Sequence, residues 1–82
     1  MANTLLIRTR NYLNRQTQHV IEARCSDGRK RLHVCAPTQN GQLPKFPEHE
    51  IAARALAVEL VAGSDVQLIG GGNGYTFAVV VP

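Results

Sequence analysis

Apolar and polar residues alternate from the start of the chain. In "TLLIRTR" (4–10), Leu5 and Ile7 fall on one side and Leu6, Arg8 and Arg10 on the other, the period of two expected of a strand. "NYLNRQ" (11–16) is polar apart from Tyr12 and Leu13 and reads as a loop. "TQHVIEARC" (17–25) and "KRLHVCA" (30–36) predict two more strands, and the Asp27-Gly28 pair between them is a strong signal for a tight hairpin. After the proline-rich segment 37–47, "PTQNGQLPKFP", the period changes from two to that of a helix. Segment 37–47 reads either as a binding loop or as the crossover to that helix, and the crossover is favoured because most connections carry no function. "DVQLIG" (65–70) and "YTFAVVV" (75–81) return to strand character, with Tyr75, Phe77, Val79 and Val81 on one side.

The predicted helix covers 47–63. Pro47 suits its first position, Glu48 and Glu50 the positive end of the dipole, and Gly63 the C-terminal cap. It carries two apolar stripes: Ile51, Ala55, Val58 and Ala62 on one side, and Ala53, Leu56, Ala57 and Leu60 nearly opposite. We assign the second stripe to the outside. Either a partner or second subunit covers it, with its large members Leu56 and Leu60 as interface candidates, or its small alanines leave it only weakly hydrophobic.

The Asp27-Gly28 turn sets a register. With these two residues as the turn, Arg24 faces Arg31, Ala23 faces Leu32, Glu22 faces His33 and Ile21 faces Val34. Ile21, Ala23, Leu32 and Val34 form the core side, and Glu22, Arg24, Arg31 and His33 the other. Two opposed arginines repel unless an anion sits near them. Glu22 is one candidate for that role, and an anionic partner is another.

The "GGGNG" run (70–74) is not a phosphate loop. Such a loop feeds a helix N-terminus, whereas this one is followed by "YTFAVVV", and no Lys or Arg occurs after Arg54. Asn73-Gly74 fits a hairpin turn, with the other glycines allowing a bulge.

Length and charge refine this picture. The chain of 82 residues reads as one domain, 1–82. Seven cations against two anions in residues 1–36 give +5, and two against four in 37–82 give −2, so the basic charge is concentrated in the first three strands. Arg8, Arg10, Arg24, Arg31 and His33 are the candidate surface for an anionic partner. No stretch has the apolar length of a signal peptide or a membrane span, and a cytoplasmic location is expected.

Catalytic chemistry is not indicated. Ser26 falls in a turn and Ser64 in a link, and the carboxylates are scattered. His33 and Cys35 share one side of a strand, but two ligands make no zinc site, so neither metal nor cofactor is expected. Cys25 and Cys35 fall on opposite sides of the sheet in the register above and are expected as free thiols.

The elements give an α+β two-layer sandwich: an antiparallel sheet of about five strands, in the order β-β-β-α-β-β, with one helix on one face. The basic hairpin, Ala/Leu-rich helix and glycine-tipped hairpin ("EIAARALAVELVAGSDVQLIGGGNGYTFAVVV", 50–81) resemble in layout the small proteins of bacteriophages and mobile elements, among them anti-CRISPR proteins. That resemblance implies a non-catalytic inhibitor in a bacterial host that blocks a protein or protein–nucleic-acid surface. Two alternatives stand beside it. One is a sequence-nonspecific nucleic-acid-binding module using the arginines, and the other a homodimeric structural or adaptor protein.

Overall fold

Five strands and one helix form in the expected order: β1 (Leu6–Leu13), β2 (His19–Cys25), β3 (Lys30–Val34), α1 (Phe46–Leu60), β4 (Asp65–Gly71) and β5 (Tyr75–Val80). The computed structural model describes residues 5–35, 46–71 and 74–82. The crossover expected over 37–47 therefore lies almost entirely outside the described residues, as does Asn73 of the second hairpin. The strands make one antiparallel sheet in the order β3-β2-β1-β5-β4, with β1 at its centre. The helix packs on one face, which makes an α+β two-layer fold. Among the described residues, no helix is long and apolar enough to cross a membrane.

β1 runs three residues beyond its predicted end, because Asn11, Tyr12 and Leu13 all pair with β2. The chain turns at Asn14 instead. The Asn14 side-chain oxygen accepts from the amides of Gln16 (2.9 Å) and Gln18 (3.0 Å), which closes the turn from within. Thr17 takes a positive φ of 58° there, a conformation that β-branched residues adopt at a cost.

The β2–β3 turn differs from expectation by one residue, with large consequences. The Gly28 amide donates to the Cys25 carbonyl, and the Cys25 amide donates to Arg29, so the loop has three residues, Ser26 to Gly28. Only Gly28 has positive φ (99°), whereas a two-residue type I′ turn needs it at Asp27 as well. The pairs are therefore Ile21 with His33, Glu22 with Leu32, Ala23 with Arg31 and Arg24 with Lys30. A shift of one residue turns every β3 side chain to the other face. Leu32 and Val34, expected in the core, lie exposed on the uncovered face, while Arg31 and His33 face the helix.

The core lies between the sheet and α1, built from Ile7, Ile21, Ala23, Phe77 and Val79 against Ala52, Ala53, Leu56 and Ala57. The helix presents the stripe expected to face outward. Leu56 is 2 % exposed and Leu60 packs against the core, while Ile51 and Val58 are about half exposed. Both stripes are apolar, so periodicity alone could not orient the helix. Alanines at 52, 53 and 57 let the backbone approach the sheet and leave room for Leu56 to insert. His49 fixes the rotation from the other end: its Nδ1 lies 2.8 Å from Thr9 Oγ1 of β1, and its ring packs edge-on against Tyr75 at 4.7 Å. Burial holds the His49 imidazole below its ordinary pKa, against a smaller opposing pull from Glu48.

The helix ends at Leu60, three residues short of the predicted 63, and Gly63 falls in the turn that follows. Gly63 has a φ of 79°, and the Ser64 hydroxyl donates to the Ala57 carbonyl at 2.7 Å. Arg54 then ties helix to sheet through Asp65 (2.6 Å), while Glu50, one turn earlier on the same helix, holds its guanidinium from the other side (2.8 Å), and the pairing with Arg54 holds the Asp65 carboxyl below its ordinary range. The anticipated bulge falls in β4, where the register shifts between Leu68 and Gly70.

Candidate partner-binding face

The face of the sheet away from α1 has no covering layer among the described residues. The registers place Lys30, Arg24, Arg8 and Thr76 in one row across β3, β2, β1 and β5. The next row holds Leu32, Glu22 and Arg10, and the one beyond it Val34, Val20 and Tyr12. Four cations therefore surround one carboxylate, with an apolar margin at one end.

Glu22 is the internal counter-charge. It is only 8 % exposed, lying beneath Arg10 and Arg24, which approach its Oε1 at 3.7 and 3.4 Å. Arg8 stands directly opposite Arg24, and among the described residues no carboxylate pairs with it. One anion thus serves two arginines, and the third is left to solvent. Beside them lies a polar cleft of about 360 Å³ lined by Arg8, Arg10, Glu22, Arg24 and Thr76, with the backbone of Gly71 and Gly74 at its rim. Gly74 makes this shape possible. A Cβ there would sit 2.1 Å from the Thr9 carbonyl oxygen, so a side chain would push β5 away from β1.

The expected five-residue basic surface is thus divided. Arg8, Arg10 and Arg24 share the open face. Arg31 and His33 do not belong to it, because the three-residue turn directs them toward α1. There Arg31 pairs with Glu59, and His33 Nε2 lies 3.0 Å from Glu48 Oε2. Glu48 and Glu59 are eleven residues apart, close to three full helical turns, and so share one edge of α1 above β3. That spacing is a sequence signal for the true register. Leu56 and Leu60 are corrected as well: Leu56 is buried in the protein's own core and cannot contact a partner, and the exposed apolar helix positions are Ile51 and Val58.

The aromatic residues are mostly committed to the other layer. Phe46, Tyr75 and Phe77 form a cluster with ring centroids 5.3 to 6.4 Å apart, holding the start of α1 against β5. Of the two tyrosines and two phenylalanines in the chain, only Tyr12 lies on the cationic face. Both serine hydroxyls make structural contacts, Ser26 accepting from the Leu6 amide and Ser64 donating to Ala57. The cysteines are free and buried. The reason differs from the one the turn suggested, since both lie on the helix side. Cys25 pairs near the turn and Cys35 bonds to His19, six positions away along β2, or about 20 Å, beyond the reach of a disulfide. Cys35 Sγ, His33 and Glu48 instead lie together, with their ligand atoms within 4.8 Å of one another.

No protein-family model matches the chain, and no curated protein or solved structure matches it significantly.

Proposed function

We propose that the protein is a non-catalytic binding module whose uncovered sheet face docks an acidic protein surface. The observation that carries this reading is the unmatched Arg8, opposite Arg24 and beside a polar cleft, on a face with more cationic charge than it neutralises. A partner carboxylate placed between Arg8 and Arg24 would relieve their repulsion and gain charge-assisted hydrogen bonds from both guanidinium groups. The apolar margin of Leu32, Val34 and Tyr12, exposed by 52 %, 53 % and 37 %, adds the kind of contact found at the centre of protein interfaces. An inhibitor that blocks a nucleic-acid-processing complex in the bacterial cytoplasm, the role implied by the resemblance in layout, would use such a surface.

A second reading has one observation in its favour. The row Lys30, Arg24, Arg8 could equally follow phosphates of a nucleic-acid backbone. Sheets that read single strands stack bases on aromatic side chains, and here three of the four aromatics pack between the helix and the sheet. We therefore place the nucleic-acid reading second. Affinity capture from bacterial lysate, with and without nuclease, separates the two. A protein partner that survives nuclease supports docking on protein. Loss of all bound material on nuclease treatment would transfer the face to nucleic acid.

A further inference from the structure

The one-residue shift in β3 turns His33 and Cys35 toward Glu48 of α1, so that the ligand atoms of these three residues lie within 4.8 Å of one another. His33 and Cys35 leave β3 on the helix side, and Glu48 reaches them from the first turn of α1. His19 begins β2 directly beside them: its carbonyl accepts from the Cys35 amide at 2.9 Å, so the two residues are opposed across the β2–β3 pair. Opposed residues share a face with Cβ atoms about 5 Å apart. His19 Nδ1 is buried and, among the described residues, has no hydrogen-bond partner. A buried imidazole nitrogen without a partner calls for an explanation.

We propose that His33, Cys35 and Glu48, with His19 as the fourth ligand, form a binding site for a zinc-class divalent cation. The donor set of two imidazoles, one thiolate and one carboxylate suits a borderline-soft ion in four-coordinate geometry. Its ligand atoms in a tetrahedral site lie about 3.3 to 3.8 Å apart. His33 Nε2 and Glu48 Oε2 are already 3.0 Å apart and the Cys35 sulfur lies within 4.8 Å of both, while the His19 ring, outside that cluster, needs a rotamer change to complete the set. In the absence of a cation, burial and the nearby Glu48 carboxylate push the Cys35 thiol pKa up. A divalent ion reverses both influences, compensating the desolvated thiolate and pairing with the carboxylate, and the thiol proton passes to solvent on binding. The positive end of the helix dipole opposes a cation here, and the negative charges of Glu48 and the Cys35 thiolate outweigh it. Bound there, the ion would clamp β2, β3 and the start of α1.

Cobalt(II) titration tests the site, because a cysteine thiolate bound to cobalt gives a charge-transfer band in the near ultraviolet. The wild type and Cys25→Ser should show the band, and Cys35→Ser should not. Glu48→Gln and His19→Gln should each weaken cobalt binding by at least about tenfold, the loss typical of even an outer-shell partner. Zinc should raise the unfolding temperature of the wild type and leave that of His33→Gln unchanged, a readout that holds if the cysteine variant fails to fold. Absence of the band in the folded wild type would overturn the proposal, as would a band retained in Cys35→Ser. Unchanged affinity in His19→Gln would overturn the four-ligand assignment.

Discussion

Arg8 of β1 and Arg24 of β2 stand directly opposite each other on the uncovered face of the sheet, and only Arg24 has a carboxylate partner among the described residues. Opposed like charges cost a sheet a fraction of a kcal/mol up to about 1 kcal/mol. A protein that retains such a pair in its central strands gives up stability that a substitution can recover. Arg8→Glu turns the repulsion into a cross-strand ion pair. We expect it to raise the stability of the free protein by roughly 0.2–1 kcal/mol, read as a higher urea midpoint with unchanged slope. A lower midpoint would mean that the arginines are accommodated in some other way.

The helix orientation has a direct test in two neighbouring positions. Leu56 is 2 % exposed and Val58 is 52 % exposed. Leu56→Ala should cost about 2–5 kcal/mol, the usual range for a large-to-small change in a core. Val58→Ser should stay within about 0.5 kcal/mol of wild type. Equal effects in thermal unfolding would contradict the packing described.

Gly74 and Gly28 separate steric need from conformational need. Gly74→Ala places a methyl group 2.1 Å from the Thr9 carbonyl oxygen, backbone that cannot move without opening the β1–β5 pair. Gly28→Ala meets open space and is strained only by its φ of 99°. We expect a loss of more than about 2 kcal/mol for the first and about 1 kcal/mol for the second, by chemical denaturation. The reverse order would show that the hairpin base does not approach β1 so closely.

Buried His49 makes stability depend on pH. Its folded pKa lies below the ordinary value of 6.5, so at pH values between the two the unfolded chain binds more protons. Its contribution is therefore complete above about pH 6.5 and is lost as pH falls toward the folded value. In urea unfolding at about pH 7 and about pH 5, His49→Gln should show a smaller drop in midpoint than the wild type. An equal drop in both proteins would assign the pH dependence to other groups.

Much of the architecture is written in local pattern. Alternation in β1, β2 and β5, Pro47 and Gly63 at the helix ends, and the switch of period between them are enough for five strands and one helix in order. The binding face was less legible, for two physical reasons. Asp27-Gly28 suits both a two-residue turn and the last two positions of a three-residue turn, and the difference of one residue decides which side of β3 reaches the core. The apolar Leu32 and Val34 argued for the wrong side. The contrary signal was long-range, in Glu48 and Glu59 waiting on one edge of α1 for His33 and Arg31. The helix was ambiguous because its two stripes are similarly apolar, and size rather than hydrophobicity chose between them. Parity in β1 and β2 puts Arg8, Arg10 and Arg24 on alternate positions of their strands, and the adjacency of β1 and β2, which local pattern does not give, is what joins them in one patch.

The most direct test of the open face as the docking surface is affinity capture from nuclease-treated bacterial lysate with three proteins side by side: wild type, Arg8→Glu, and Ile51→Glu with Val58→Glu on the exposed side of the helix. Circular dichroism must first show that all three are folded. We expect the wild type and the helix variant to retain the same protein partner, and Arg8→Glu to lose it although it is at least as stable. Capture that survives Arg8→Glu and disappears with the helix variant would place the interface on α1 and contradict the account.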